Sequence, residues 1–388
     1  MGNILLLVID SVGIGALPDA DKYDDAGAAT LQHTLESVSD VSLPNMEKLG
    51  LGKIEPLHGV RSYIETYGIY GKLASITIGK DTTAGHWELM GIILKEGLKT
   101  FPRGFPSEIM DTFKKETGYD YIGNIAASGT EIIKDLGEEH LKTGKLIVYT
   151  SSDSVFQIAA HEGIVSIEEL YRICGVTRKI CDKYNISRVI ARPFVEEKGL
   201  FVRTRNRKDF SLKPPGKTVL NLLQDAEINT LGIGKIDDIF ASCGITHNIP
   251  VKGNPACIDA SIEALKSYSN SFIFTNLVDF DMLYGHRRDP KGYYKCLKEF
   301  DNALPMIINA LQDDDLLIIT ADHGNDPTFK GTDHTREYVP IMIYQKSFKT
   351  SKNLGIRKTF ADVGKTIAHY FNVDGPDSGE SFLNTIME

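Results

Sequence analysis

The sequence predicts an α/β protein built on a mostly parallel central sheet. Three mainly apolar runs support this prediction, because they lack the strict alternation of a strand with one exposed face. These runs are Ile4 to Ile9, Phe272 to Val278 and Leu316 to Ile319. Helical spacing is found between and beyond them, at Thr30 to Gly50, Val219 to Gln224, Tyr293 to Leu311 and Asp362 to Phe371. We therefore expect a sheet that lies between layers of helices.

Size and composition place the chain among ordinary globular proteins. Its 388 residues exceed the length at which one hydrophobic core usually stops growing, so more than one domain is expected. Apolar residues make up 42% and charged residues 24%, which excludes a disordered chain. A formal net charge of -9 argues against nucleic-acid or membrane partners, and nothing in the sequence indicates an obligate protein partner.

The cysteines and the N-terminal run suggest a cellular compartment. The 5 cysteines are odd in number and none form a CxxC pair, so a reducing environment is expected. The run Ile4 to Ile9 lacks a basic leader and ends in Asp10, which is typical of a strand rather than of a signal peptide. No stretch approaches the roughly 20 apolar residues of a membrane span. Cytoplasmic localisation is the resulting prediction.

Proline and glycine mark an inserted domain. The segments FPRGFP, beginning at Phe101, and KPPG, beginning at Lys213, enclose a stretch with its own predicted strands and helix. The strands are Leu146 to Thr150 and Ser187 to Ala191, and the helix is Ser166 to Tyr184. We predict a core domain formed by residues 1–100 and 216–388, and an inserted α/β cap domain formed by residues 101–215.

Acidic residues and histidines follow the three core strands. Asp10 ends the first run, Asp281 and His286 follow the second, and Asp322, His323 and His334 follow the third. Open α/β sheets bind ligands at the carboxyl ends of their strands, so these side chains are expected to face one crevice. Carboxylates and imidazoles without thiolates suit Mn²⁺ or Zn²⁺. The alternative is that each aspartate caps a helix or closes a turn.

Thr82 lies where a predicted strand meets a predicted helix. Residues 75–91 read SITIGKDTTAGHWELMG, interpreted as a short alternating strand, a polar turn and a helix that begins near Ala84. A hydroxyl at such a junction meets unpaired backbone N–H groups and the positive end of a helix dipole, both of which favour a phosphate. The alternative is that Asp81, Thr82 or Thr83 is an ordinary helix cap.

Together these residues predict metal-dependent phosphoryl transfer. The ligands suffice for two cations, which would stabilise the entering and leaving oxygens of an in-line displacement, with the threonine hydroxyl as nucleophile. Candidate anion-binding residues are Lys235, in a glycine-rich segment, and several arginines in a loop-like part of the insert. These arginines are Arg188, Arg192, Arg203, Arg205 and Arg207. Solvated surface charge is the alternative for each arginine taken singly.

These motifs, taken in order, resemble the phosphopentomutase family of the alkaline phosphatase superfamily. The resemblance covers nearly the whole chain, and it rests on LVIDSVGIGALPDA, GKDTTAGHWELMG, YTSSDSVFQIAAHE, ARPF with RTRNRKDF, GKIDDIF, VDFDMLYGHRRD and TADHGNDPTFKGTDHTRE. It implies an alkaline-phosphatase-like core with an inserted cap. It also implies interconversion of ribose or deoxyribose 1-phosphate and the 5-phosphate.

The resemblance assigns roles residue by residue. Thr82 matches the phosphorylated nucleophile, with Thr83 beside it as an alternative. One Mn²⁺ is implied at Asp281, His286 and His334, and a second at Asp10, Asp322, His323 and the phosphorylated Thr82. Substrate-contacting positions match Ser151, Asp153 and Arg188, and the phosphate clamp matches Arg203 or Arg207, between which the spacing does not decide. Glucose 1,6-bisphosphate or ribose 1,5-bisphosphate is the implied activator, and the substrates are small sugar phosphates.

Three other functions compete with this one. Cofactor-independent phosphoglycerate mutase resembles the chain in its two-metal core, but that family has serine as nucleophile, which counts against it because this chain has Thr82. A metal-dependent phosphatase would release phosphate, and a water-excluding cap argues against it. A binding protein with structural metals and a bound sugar phosphate is the third alternative.

Overall fold

A computed structural model describes residues 1–151 and 154–387 of the chain. Its contacts divide the chain into two units. The core unit comprises Met1–Lys95 and Pro214–Glu388, and the insert unit comprises Glu96–Lys213. The chain therefore leaves the core unit once and returns to it once.

The strands are numbered in chain order. They are β1 (Ile4–Ile9), β2 (Ile69–Leu73), β3 (Tyr121–Ala126), β4 (Leu146–Thr150), β5 (Val155–His161), β6 (Arg188–Glu197), β7 (Leu200–Arg203), β8 (Lys208–Ser211), β9 (Asn229–Ile233), β10 (His247–Ile249), β11 (Ser271–Leu277), β12 (Leu316–Thr320), β13 (Val339–Tyr344) and β14 (Asn353–Arg357).

The α-helices are numbered in the same way. They are α1 (Thr30–Glu36), α2 (Pro44–Leu49), α3 (Leu51–Ile54), α4 (Thr82–Leu89), α5 (Ser107–Thr117), α6 (Gly129–Thr143), α7 (Ile167–Asp182), α8 (Val219–Asp225), α9 (Ile236–Ile239), α10 (Asn254–Ser267), α11 (Pro290–Ala310), α12 (Ala361–Tyr370) and α13 (Leu383–Met387). A short 3₁₀-helix covers Ala20–Tyr23 and a single π-helical turn covers Phe280–Gly285.

The core unit contains an eight-stranded sheet in the order β10-β9-β11-β1-β12-β13-β2-β14. Neighbouring strands run parallel except for β13, which is antiparallel to both β12 and β2. The predicted mostly parallel sheet is therefore confirmed. Because β1 lies between β11 and β12 and is parallel to both, the carboxyl ends of these three strands meet at one edge.

Helices cover both faces of this sheet. β1, β11 and β12 are buried at every residue, which requires a layer on each side. One group of helices in mutual contact is α1, α2, α10 and α11, and another is α4, α8, α9 and α12. The long helical pattern predicted at Thr30 to Gly50 is interrupted after Glu36, and a new helix begins with Pro44 at its first turn.

The strand predicted at Ser75 to Ile78 is absent from the described structure, and this prediction is wrong. In this segment the backbone groups form hydrogen bonds with side chains rather than with a neighbouring strand. The amides of Ile76 and Thr77 donate to the carboxylate of Glu88. Three carbonyls, at residues 75, 77 and 79, accept from the guanidinium of Arg336. The apolar residues that alternate with polar ones here are Ile76 and Ile78. Both are exposed, at 51% and 45%, so the alternation does not mark a half-buried strand.

The insert unit has a sheet of its own, in the order β3-β4-β5-β6-β7 with β8 also paired to β6. Helices α5 and α7 pack on one apolar cluster of this unit, and α6 packs on another. In the span predicted as loop-like, Arg188 and Arg192 lie on β6 and Arg203 lies on β7, and both β7 and β8 pair antiparallel with β6. Arg205 and Arg207 lie in the connection between β7 and β8, where the loop prediction holds.

None of the helices formed by residues 1–151 and 154–387 has the length and apolar character required to cross a membrane.

Candidate active site

Two clusters of carboxylates and imidazoles lie at the carboxyl edge of the core sheet. The first, the nucleophile-side cluster, consists of Asp10, Asp322 and His323. The second, the distal cluster, consists of Asp281, His286 and His334. Within each cluster the potential ligand atoms all lie within 4.8 Å of one another. The residues that the sequence suggested as ligands for each of two cations are therefore brought together in the same two groups.

The nucleophile-side cluster is buried, and its two carboxylates both approach the same imidazole nitrogen. His323 Nε2 lies 3.2 Å from Asp322 Oδ2 and 3.5 Å from Asp10 Oδ1. These two carboxylate oxygens have no hydrogen-bond partner among the described residues although they are buried. Buried oxygens of this kind are costly unless a donor or a cation satisfies them. The donor set therefore fits a divalent cation.

Thr82 belongs to this cluster. Its Oγ1 lies 3.2 Å from His323 Nε2, and Thr82 is the first residue of α4. The helix begins two residues earlier than predicted, and Asp81 is its cap, accepting a hydrogen bond from the amide of Ala84. The capping alternative thus holds for Asp81. It leaves the Thr82 hydroxyl at the helix N-terminus, where the dipole favours negative charge.

The distal cluster lies next to the first, and its His334 ring is in tilted contact with the rings of His286 and His323. Asp281 Oδ2 lies 3.0 Å from His286 Nε2, and Asp281 Oδ1 lies 3.5 Å from His334 Nε2. The His334 ring centroid is 4.8 Å from that of His286 and 4.0 Å from that of His323. His334 Nε2 is buried without a hydrogen-bond partner among the described residues, so its lone pair is available to a cation.

Neighbouring groups orient the potential ligands. Nδ1 of His286 bonds the carbonyl of Thr332, and Nδ1 of His323 bonds the carbonyl of Gly324, which turns Nε2 of each ring towards its cluster. Asn276 donates to Asp10 at 3.0 Å and Asn325 donates to Asp281 at 2.7 Å. Sequence reasoning missed both asparagines. A polar residue inside the apolar run of β11 was the available signal for Asn276.

The charges of the site act on one another. Burial and the nearby Asp322 raise the pKa of Asp10, while Lys235 is close enough to counteract part of this effect. Burial alone would raise the pKa of Asp281, but the imidazoles of His334 and His286 hold it well below its usual range. The hydrogen bond to Asp281 raises the pKa of His286 to about 9. Crowding of buried carboxylates thus raises the pKa of Asp10, and nearby positive charge counteracts this effect.

Lys235 lies at the start of α9, directly after β9. Since β9 runs parallel to β11, this places Lys235 at the carboxyl edge of the core sheet, and its charge lowers the pKa of Asp10. Of the predicted anion-binding residues, it is the one that lies in the core unit.

The remaining predicted substrate-binding residues belong to the insert unit. Ser151 directly follows β4, and Asp153 lies outside the described residues. Arg207 pairs with Asp209 through two bonds of 2.7 and 2.8 Å, and Arg188 Nη1 lies 3.6 Å from the same carboxylate. Arg203 donates to the neutral hydroxyl of Thr130 at 2.8 Å. The structure thus distinguishes the two clamp candidates by their partners, one anionic and one neutral.

Arg192 is a further member of this arginine group. It lies on β6, as Arg188 does, and donates to Gln157 Oε1 at 3.1 Å. Burial and the nearby Arg207 lower its pKa. Concentrated positive charge of this kind on a sheet surface suits a phosphate ester.

A family model and several known proteins match this chain over nearly its whole length. A family model described as Metalloenzyme superfamily matches residues 2–375. A phosphopentomutase of Caldanaerobacter subterraneus subsp. tengcongensis is 55% identical over 99% of this chain and 98% of the relative. A phosphopentomutase of Alkaliphilus metalliredigens is 51% identical over the full length of both chains, 100% of each.

Solved structures agree on the fold. A protein of Pyrococcus horikoshii aligns over 96% of this chain and 97% of its own, with a TM-score of 0.52 and 16% identity. A phosphoglycerate mutase of Leishmania mexicana aligns over 98% and 97%, with a TM-score of 0.50 and 13% identity. At such identities the likeness shows the fold alone. The α/β class that the sequence predicted is confirmed by the described sheets and agrees with the match to the Metalloenzyme superfamily model.

Proposed function

Because the chain belongs to the phosphopentomutase family, and is thus an enzyme of the isomerase class, we propose that it interconverts α-D-ribose 1-phosphate and ribose 5-phosphate. The 2-deoxyribose phosphates are proposed as substrates on the same grounds. Relatives that bear this name are 49–55% identical over essentially the whole chain, which supports the proposal.

The position of the Thr82 hydroxyl carries the proposed mechanism. It lies 3.2 Å from His323 Nε2, beside two buried carboxylate oxygens and at the start of a helix. A phosphoryl group on this oxygen would meet the helix N-terminus and the ammonium group of Lys235. We propose that Thr82, rather than Thr83, carries the phosphoryl group between substrates.

Two divalent cations, proposed to be Mn²⁺, fit the two clusters. Asp10, Asp322 and His323 would hold one beside Thr82, and Asp281, His286 and His334 would hold the other. When bound, they supply stabilisation of the entering and leaving oxygens of an in-line phosphoryl transfer.

The transfer conserves phosphoryl groups. The free hydroxyl of the sugar phosphate attacks the phosphorus of phosphothreonine, a new O–P bond forms, and the bond to Thr82 Oγ1 breaks. The product is a sugar bisphosphate and a free threonine. Thr82 Oγ1 then attacks the other phosphoryl group of the bisphosphate, which releases the isomeric monophosphate and restores phosphothreonine. Glucose 1,6-bisphosphate, or ribose 1,5-bisphosphate, loads the threonine initially.

The insert unit is proposed to bind the sugar phosphate through Ser151, Asp153, Arg188 and an arginine clamp. Arg203 is the better candidate for the clamp. Its partner is a neutral hydroxyl, whereas the guanidinium of Arg207 is engaged at two nitrogens by Asp209. Breaking a bidentate ion pair to bind phosphate costs more than displacing one hydroxyl.

The decisive test substitutes the nucleophile. Thr82→Ala is expected to lose at least about 10³-fold in Mn²⁺-dependent conversion of ribose 1-phosphate to ribose 5-phosphate, because covalent transfer is lost. It should also take up no label from a bisphosphate labelled in the phosphoryl group, whereas the wild type gains base-labile phosphate. Thr83→Ala is the matched control and should retain both properties.

Other outcomes would reject the proposal. Full conversion by Thr82→Ala would rule out the phosphothreonine mechanism. Faster turnover of 3-phosphoglycerate than of ribose 1-phosphate by the wild type would indicate a phosphoglycerate mutase, and release of inorganic phosphate as the main product would indicate a phosphatase.

A further inference from the structure

His86 is a buried histidine of the site that neither the spacing of strand ends nor the proposed ligand sets include. It lies on α4, four residues after Thr82, and its side chain is 0% exposed. Its Nδ1 is 2.9 Å from the carbonyl oxygen of Thr82. The same nitrogen is 3.0 Å from Oδ2 of Asp322. One imidazole nitrogen thus lies between the nucleophile residue and a proposed metal ligand.

The surroundings of the ring define its tautomer. Nδ1 faces two oxygen acceptors, so it must carry the hydrogen. Nε2 is buried and has no hydrogen-bond partner in the described part of the chain, and the ring stacks on Phe274 with centroids 5.7 Å apart. An N–H on that side would be buried without an acceptor, which is unfavourable. The hydrogen therefore lies on Nδ1, where it bonds the Thr82 carbonyl and leaves the N–H dipole beside Oδ2 of Asp322.

Asp322 is consequently restrained at both oxygens. Oδ1 accepts a hydrogen bond from the amide of Ser11 at 3.1 Å. Oδ2 has the Nδ1–H group of His86 on one side and His323 Nε2 at 3.2 Å on the other. With one oxygen fixed by the backbone and the other facing the N–H dipole, the carboxylate cannot rotate freely. Its second oxygen stays directed into the nucleophile-side cluster.

The backbone of α4 reinforces this arrangement. A Cβ atom at Gly85 would overlap the carbonyl oxygen of Asp322, so only glycine permits the observed approach of the helix. Gly85 and His86 together dock the first turn of α4 onto Asp322. The position of Thr82 is thus tied to the position of the carboxylate.

We propose that His86 is a positioning residue, which uses its Nδ1–H group to fix Asp322 for metal binding and to hold it in register with Thr82. The inference rests on the proposed two-metal function. His86 itself touches neither the cation nor the substrate. Loss of such a supporting contact typically lowers metal affinity about 10- to 100-fold, and the loss should be confined to the nucleophile-side cluster.

Two amide substitutions separate this role from simple packing. In His86→Asn the amide nitrogen falls near the position of Nδ1, so the bond to the Thr82 carbonyl and the N–H dipole beside Asp322 are both kept. In His86→Gln the amide nitrogen falls near the position of Nε2, so the donor moves from the side of the ring that faces Thr82 and Asp322 to the opposite side, while size and polarity are preserved. Mn²⁺ binding to the metal-depleted full chain is measured by titration calorimetry, with the melting temperature recorded for each variant.

His86→Gln should bind one Mn²⁺ with wild-type affinity and the other about 10- to 100-fold more weakly. His86→Asn should bind both within about threefold of the wild type. Equal, wild-type-like binding by both variants would overturn the inference, as would equal loss in both with lowered melting temperatures, which would indicate packing alone. If the wild type itself binds no Mn²⁺ at Asp10, Asp322 and His323, the proposed function fails instead, so the two failures are distinguishable.

Discussion

His334 occupies the position between the two clusters of the site. The centroid of its ring lies 4.0 Å from that of His323, in a tilted contact, while its Nε2 approaches Asp281 Oδ1 at 3.5 Å. The ring contact is thus made with the nucleophile-side cluster, and Nε2 faces the distal cluster. A substitution at this position therefore tests whether the clusters bind cations independently.

We predict that His334→Ala loses one of the two bound cations and keeps the other. The distal cluster then has only Asp281 and His286, whereas Asp10, Asp322 and His323 are unchanged. Metal content is measured by mass spectrometry after equilibrium dialysis against Mn²⁺. His369→Ala is the control, since His369 bonds the hydroxyl of Ser381 and belongs to neither cluster. Loss of both cations, or of neither, would contradict the division.

At the scale of single residues, the sequence predicted the potential ligands but not the groups that orient them. Three aspartates were recognisable because each follows an apolar run, namely Asp10, Asp281 and Asp322. The parallel order of their strands brings them to one edge of the sheet. Asn325 and His86 gave no comparable signal. Their roles depend on side-chain direction and on contacts between distant segments, which spacing along the chain does not encode. The one local clue for His86 was its position four residues after Thr82, which is one helical turn.

At the scale of elements, the segment before α4 is held by two charged side chains. Glu88 accepts from the amides of Ile76 and Thr77 and from the hydroxyls of Ser75 and Thr359. Arg336 donates to the carbonyls of the same segment. Glu88 lies on α4, the helix that also carries Thr82. Its hydrogen bonds therefore hold this helix against the segment that precedes it.

We predict that Glu88→Gln loosens this segment. The amide group of glutamine would present N–H groups to donors that now meet a carboxylate, and each buried donor left unsatisfied costs about 1–3 kcal/mol. Hydrogen exchange at residues 76 and 77 should accelerate at least about 10-fold, and the free energy of unfolding should fall. Glu65→Gln, at an exposed position, is the control and should change neither.

Unchanged protection of residues 76 and 77 in Glu88→Gln would show that Arg336 alone holds the segment. The same contacts explain why the strand predicted at residues 75–78 was wrong. Alternating apolar residues favour a strand only when another strand supplies the hydrogen bonds. In this segment the partners are side chains from residues 88 and 336, and no pattern within the segment itself reveals them.

At the scale of the whole molecule, the α/β class and the mostly parallel core sheet followed from the sequence because buried parallel strands have a distinctive apolar pattern. The strand order did not follow. Nothing in the apolar runs states that β13 is inserted antiparallel between β12 and β2. The short strands β7 and β8 of the insert unit were also missed, since four residues each are too few to show a clear pattern.

The insert unit has a built-in sensitivity to acid at His140. Nδ1 of this fully buried ring bonds the carbonyl oxygen of Lys145 at 2.6 Å, and Nε2 accepts from the amide of His161 at 2.9 Å. This pairing requires a neutral ring, and burial lowers the pKa of His140 below its ordinary value. Above a pH of about 6.5 the ring is neutral in the folded and unfolded states alike.

We predict that the insert unit loses stability as the pH falls below about 6.5, because the unfolded chain then binds a proton that the folded ring excludes. Hydrogen exchange of peptides from residues 96–213, corrected for intrinsic rates, should show weaker protection at pH 5.5 than at pH 7.5. His140→Gln keeps an acceptor for the His161 amide but cannot titrate, so most of this pH dependence should vanish. A pH response of the same size in the variant would assign the effect to other groups.

The central position of β1 has a consequence for synthesis of the protein. This strand is made well before its two neighbours, β11 and β12, which end at Leu277 and Thr320. At about 5–20 residues per second, its wholly apolar surface waits on the order of tens of seconds for its partners. The strands of the insert unit pair with one another and can form a sheet during that interval. The strand that anchors Asp10 is thus made early but covered late, and the nucleophile-side cluster cannot assemble until translation has passed His323.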